Sequence, residues 1–354
     1  MGSLLALVVA GTLTACVTMQ VEGTSSAEMK RQMQGSFLFA SADLFYPQGL
    51  PADPATLPDL GPAQIAELQK QVSAMLGSLR QANTRFAPAL TDLFDTPVVA
   101  EPAVRVMVVN TGRPLARIAG NGEISLDAKV IQAMFRAALV ATFETEIMLP
   151  RIKAGVPNAA AGVGDTEGQR VAVREMLALK ARVGELEGRS AVREAFADTD
   201  LRSAGEDGTG WFAMRSLLQR SEVALRSYTA QQIFLLGHEL GHSVLGHHEL
   251  GAGLDCEALQ GVERDADLYA AFMLAIATPD DAVQDLFGMF GRSLGEGLET
   301  MFEHTYEFAG FAAPGVAARC PPPDPAERKR IVREGYDAVR SAQIDEILKE
   351  AKPE

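Results

Sequence analysis

Two histidines four residues apart bracket a glutamate in Gly237-His238-Glu239-Leu240-Gly241-His242, within the apolar stretch from Gln231 to His248. On a helix this offset places both imidazoles on one face. Both rings can then bind one metal ion, while Glu239 lies beside the open coordination position and can take a proton from water. The chain has only 5 His, so composition alone does not account for two of them bracketing a glutamate. The spacing is the H-E-x-x-H signature of a zinc site. Such a site holds its metal with three protein ligands and keeps a position for water, so a third ligand must come from downstream. Glu263 and Asp267 share one face of a second predicted helix at the same four-residue offset. The expected division is that Glu263 ligates the metal and Asp267 accepts the second ring N–H of a ligand histidine. Asp255, Glu257, Asp265 and His247 stand as rival third ligands, because the sequence leaves the loop from Glu249 to Gln260 unconstrained.

The elements that must position these residues follow from periodicity. Apolar residues at Ile65, Leu68, Val72, Met75, Leu76 and Leu79 recur at helical spacing behind Pro62 and predict a helix over 62–79. Segments 103–109, 115–119 and 123–126 are short, apolar and separated by Gly/Asn turns, which predicts a small sheet. Helices are expected over 127–148, 167–197, 211–226, 229–248, 261–277, 280–309 and 325–350, with Gly-rich loops at 154–168 and 203–210. A sheet followed by a helix-dominated remainder is an α+β arrangement.

The chain has 354 residues, 47% apolar and 22% charged, which is the composition of an ordinary globular protein. Its formal charge of -14 argues against nucleic acid as a partner, since phosphate binding draws on clustered Lys and Arg. Residues 1–16, MGSLLALVVAGTLTAC, form an apolar run about as long as a signal-peptide core. Leu13-Thr14-Ala15-Cys16 resembles the lipobox of bacterial lipoproteins, which implies lipidation of Cys16 and a membrane anchor. Residues 17–61 then read as a tether and Pro-rich linker, and 62–354 as one catalytic domain. The chain has 3 Cys. With Cys16 lipidated, Cys256 and Cys320 remain as an even pair in an oxidising compartment and are expected to form a disulfide.

The segments His238 to His248, HELGHSVLGHH, and Glu263 to Asp267, ERDAD, resemble the gluzincin peptidases, in particular the family that includes the CAAX prenyl endopeptidase, HtpX and the Oma-type peptidases. The resemblance implies a zincin-like fold and Glu263 as third ligand. It also likens Asn121 to Leu126 to the strand that borders the cleft and pairs with substrate. That family carries a His-Pro pair followed by Arg-Ile near its C-terminus. Here Asp324-Pro325 precede Arg330-Ile331, so the histidine is replaced and Arg330 is carried over as a candidate catalytic residue. His304 and Tyr306 are further candidate donors to an oxyanion. The ImmA/IrrE-type metallopeptidases are similar in their short ligand spacing, but the N-terminal segment favours the first family.

These readings converge on a zinc (Zn2+) endopeptidase of the bacterial cell envelope, anchored by lipid and facing the periplasm, with protein or peptide substrates. The alternative is a lipid-anchored binding or assembly factor that keeps the fold without turnover.

Overall fold

The computed structural model describes residues 36–49, 51, 57–111, 116–119, 121–156, 166–185, 209–250, 254–277, 320 and 324–350. Cys16, His304, Tyr306, the expected helix over 280–309 and most of the two Gly-rich loops lie outside these residues. The described elements are mostly helical with one small sheet, an α+β arrangement. No helix among the described residues is long and apolar enough to cross a membrane.

The chain divides into two compact units. Among the described residues, the first takes 61–131 and those from 229 onward, and the second takes those up to 60 and 132–228.

Helix α1, Phe37–Phe45, belongs to the second unit, and the first unit opens with α2, Pro62–Phe94. Helix α2 begins where expected, with proline in its first turn, and runs on past 79 because the buried stripe continues through Ala82, Ala87 and Leu90. It ends at Asp95, in the left-handed region with φ 48°. The strands are β1 Arg105–Val109, β2 Ala116–Ile118 and β3 Glu123–Asp127, in the spatial order β1-β3-β2. Strand β3 pairs parallel with β1 and antiparallel with β2. Alternate residues Val106, Val108, Ile124 and Leu126 point into the core, as a sheet with one covered face requires. Gly122 closes the β2–β3 turn at φ +77°, and a Cβ there would lie 2.3 Å from the Ala103 carbonyl oxygen, so no other residue fits.

The outer edge of β1 is closed by α2. The Gln69 side-chain amide donates to the Val106 carbonyl at 2.8 Å and accepts from the Val108 N–H at 2.8 Å. Strand β3, likened above to a substrate-pairing strand, is central and hydrogen-bonded on both sides. That expectation is therefore corrected: the remaining edge belongs to β2.

Chain order continues with α3 Ala128–Thr142, α4 Glu144–Lys153, α5 Thr166–Glu185, α6 Thr209–Val244, α7 Cys256–Ala277 and α8 Pro325–Glu350. The break expected between 226 and 229 is absent; Arg226-Ser227-Tyr228-Thr229 contains neither Gly nor Pro, and α6 runs through it. Helices α6 and α7 pack through small residues. A Cβ at Gly241 would lie 3.2 Å from Tyr269 Cβ and 3.3 Å from Ala266 Cα, and one at Gly237 would lie 3.2 Å from Ala270 Cα. This close approach, impossible with larger residues, brings the histidine helix against the helix of Glu263 and Asp267. Tyr269 then reaches from α7 to donate to Asn83 of α2 at 2.8 Å, and Asn83 in turn donates to the carbonyls of Val99 and Ala100, each at 2.9 Å.

In the second unit, Phe37 and Phe45 of α1 pack with Phe135 and Tyr228, the Phe45 and Phe135 rings stacking at 4.7 Å. Arg136 donates to the Tyr46 hydroxyl at 3.3 Å. Residues 37–45, expected as part of a tether, thus form a helix with Leu38, Phe39 and Phe45 fully buried. Their aromatic and aliphatic residues are core material rather than solvated linker, with Asp43 left on the exposed face.

Candidate metal centre

Helix α6 carries His238, Glu239 and His242 on its last turns, and all three are buried. Helix α7 presents Glu263 and, one turn on, Asp267. His238 Nε2 lies 3.2 Å from His242 Nε2 and 3.1 Å from Glu263 Oε2, and His242 Nε2 lies 3.6 Å from Glu263 Oε1. The three residues could hold a metal ion, each offering one ligand atom, with all these atoms within 4.8 Å of one another. Tetrahedral bonds of about 2.0–2.1 Å would separate two ligand nitrogens by about 3.3 Å. The observed separations fit that requirement. The charge fits as well, since the carboxylates of Glu263, Asp267 and Glu239 gather round a centre where Arg328 is the one described arginine paired with them.

Each of the two histidine rings is held from behind. His238 Nδ1 lies 3.0 Å from Asp267 Oδ1, and His242 Nδ1 lies 2.9 Å from His247 Nδ1. Both rings therefore turn Nε2 toward Glu263. Asp267 is wholly buried and receives a two-pronged contact from Arg328, whose Nε donates to Oδ2 and whose second nitrogen donates to Oδ1, both at 2.7 Å. Such paired charge-assisted bonds fix the carboxylate in orientation as well as charge.

The proton affinities report the same field. Burial opposes a charge on His238, but its hydrogen bonds to Asp267 and Glu263, with their charges, lift it to about 10. Burial works against the Glu263 carboxylate, yet His242 and His238 hold it down to about 2. Burial pushes His242 well below its ordinary value and His247 down to about 4. Glu239 is raised to about 7, chiefly by burial, with the Glu263 charge adding to the rise and His238 opposing it. The centre thus brings together an imidazole that two carboxylates favour in its protonated form, a second that burial favours as neutral, and a firmly ionised glutamate, with the Glu239 carboxylate raised toward neutrality beside them.

Glu239 also accepts a backbone hydrogen bond from Ile118, at the end of β2. Among the described residues, the edge of β2 that no strand pairs is therefore the one beside the buried glutamate.

The rival ligands are placed elsewhere. Asp255 caps α7, accepting from the Ala258 N–H at 2.9 Å, while Glu257 and Asp265 are exposed. His247 faces His242 rather than the shared centre. Asp324, standing where the similar family has histidine, is exposed and caps α8 by accepting from the Ala326 N–H at 3.0 Å. The expectation for Arg330 is corrected in the same way. It lies on the outer face of α8, 57% exposed, and pairs with Glu334 at 2.6 Å. The arginine that reaches the centre is Arg328, which the sequence reading missed. Its signal was present: Arg328 shares a stripe with the buried Val332, Gly335 and Tyr336, whereas Arg330 is about 200° further round the helix.

Cys256 and Cys320 are joined by a disulfide with Cα atoms 5.4 Å apart, across 64 residues of sequence. The bond ties the first residue of α7 to the segment leading into α8, the two helices that carry Asp267 and Arg328. Reduction, or Cys256→Ser with Cys320→Ser, is expected to lower stability by about 2–4 kcal/mol, as loop closure in the unfolded chain is relaxed. Urea unfolding would measure it, with a lower midpoint and a higher m value as the uncrosslinked chain exposes more surface.

Compared with protein-family models, with curated proteins and with solved structures, the chain gives no match.

Proposed function

We propose that this chain is a zinc-dependent endopeptidase with a zincin-like site, similar in design to the gluzincins. The observation that carries the reading is the convergence of His238 Nε2, His242 Nε2 and the Glu263 carboxylate on one centre, with buried Glu239 on the same helix. Two imidazoles and a carboxylate are a donor set that suits zinc and leaves a position for substrate. When bound, zinc would supply Lewis-acid activation of water and of a scissile carbonyl.

The chain's own residues would do the rest. Glu239 takes the proton from the attacking water and returns it to the leaving amine, a role its raised proton affinity suits. Asp267, fixed by Arg328, keeps the His238 ring in one orientation. The outer edge of β2, beyond the Ile118 N–H that Glu239 holds, would give its remaining backbone groups to an extended peptide added as a further strand. Placement in the cell envelope rests on residues 1–16 and lipidation of Cys16, with protein or peptide as the substrate.

Purified protein should hold about one zinc per chain and cleave an unfolded protein such as casein, with cleavage lost to a chelator and restored by zinc. His238→Ala, His242→Ala and Glu263→Ala should each strip the metal. Full occupancy in Glu263→Ala would reassign the third ligand. A fully loaded protein that cleaves nothing would favour the binding-factor reading.

A further inference from the structure

We propose that His247 is a positioning residue of the metal centre, accepting a hydrogen bond from His242 Nδ1–H and so holding the second ligand ring in the tautomer that presents Nε2 to the metal. The inference rests on the metal-binding reading of His238, His242 and Glu263. It starts from the 2.9 Å separation of the two Nδ1 atoms, with the rings inclined at 65° rather than stacked. Only one hydrogen fits between two nitrogens at that distance. His242 Nε2 is turned toward His238 and Glu263. Once that nitrogen gives its lone pair to a metal, the single ring proton of neutral His242 resides on Nδ1. His247 Nδ1 is then the acceptor, and the His247 proton resides on Nε2.

The backbone is shaped to deliver this contact. Helix α6 ends at Val244, and Leu245 N–H bonds the Gly241 carbonyl at 3.0 Å. Gly246 takes φ +68°, a left-handed turn that suits glycine at a helix C-terminus. The next residue opens the 3-10 turn His247–Leu250 and is folded back onto the turn it has just left, 4% exposed. The two ligand rings are consequently supported by different groups. His238 is backed by a carboxylate that Arg328 fixes, whereas His242 is backed by a neutral imidazole, a weaker source of electron density for the metal-bound ring.

The experiment uses full-length protein and zinc, with affinity read by competition against a chromophoric chelator. In His247→Asn, the amide oxygen stands close to the position of Nδ1 and can accept the same bond, while His247→Leu fills the space without an acceptor. His247→Leu is expected to bind zinc about 10- to 100-fold more weakly, with His247→Asn recovering most of the loss. Nitrogen-15 NMR of zinc-loaded wild-type protein should find His247 protonated on Nε2 and bare on Nδ1. Wild-type affinity in His247→Leu, or a protonated His247 Nδ1 in the loaded protein, would overturn the proposal. Should His247→Leu fail to fold, the tautomer decides alone. If the wild type binds no zinc, or His242→Ala binds it as tightly as wild type, the metal reading itself falls and the role of His247 falls with it. That outcome is distinct from an unaffected His247→Leu beside a defective His242→Ala.

Discussion

Glu239→Gln is expected to purify with the metal content of the wild-type protein and to lose peptide hydrolysis by about two to four orders of magnitude, the usual contribution of a positioned general base. The amide has nearly the shape of the carboxylate and can still accept the backbone bond from Ile118, so the packing of α6 against β2 is preserved. What it cannot do is take a proton. Burial is the main reason the carboxylate at this position sits near 7, and the same burial keeps bulk water from substituting for it. Metal analysis and a casein assay on the same preparation provide the check. Retained turnover with full metal would remove Glu239 from the mechanism, and loss of metal would make it a structural residue instead.

Arg328→Ala should destabilise the fold by about 3–5 kcal/mol, because it removes one partner of a buried ion pair and leaves the wholly buried Asp267 carboxylate with only its His238 contact. The loss should be shared by the metal centre: Asp267 would no longer be fixed behind His238, and weaker zinc binding should accompany the lower urea midpoint. Arg328→Lys should not restore wild-type behaviour, since an ammonium cannot make the two parallel bonds of the guanidinium. Adding Asp267→Asn to Arg328→Ala should recover part of the stability by removing the stranded charge, but not the support of the His238 ring. Arg330→Ala is the contrasting control. Its guanidinium is 57% exposed and pairs within its own helix, so the change should stay within about 0.5 kcal/mol. Equal effects at 328 and 330 would contradict the assignment of the buried arginine.

The chemistry-bearing residues were legible in the sequence because local geometry alone constrains them. A four-residue offset on a helix forces His238 and His242 onto one face with Glu239 between their flanking turns, and the same offset pairs Glu263 with Asp267. Alternating apolar residues and Gly/Asn turns likewise marked the three strands, and Pro325 marked the start of α8. Other features needed the folded chain. Which carboxylate of the 255–267 region joins the histidines depends on how α7 lies against Gly237 and Gly241, and only that contact retires Asp255, Glu257 and Asp265. Arg330 was favoured over Arg328 by a linear correspondence, whereas α8 packs on α7 where Gly335 meets Leu268 and Ala271, and the buried face it shares with Val332 and Tyr336 turns Arg328 inward. Strand order, too, is a long-range property: that β3 is central and β2 is the edge beside Glu239 follows from pairing across the sheet rather than from the alternation along any one strand. Periodicity thus named the side chains that face a common side, and the tertiary structure decided which of those sides meet, because helix–helix approach and strand pairing depend on residues far apart in the chain.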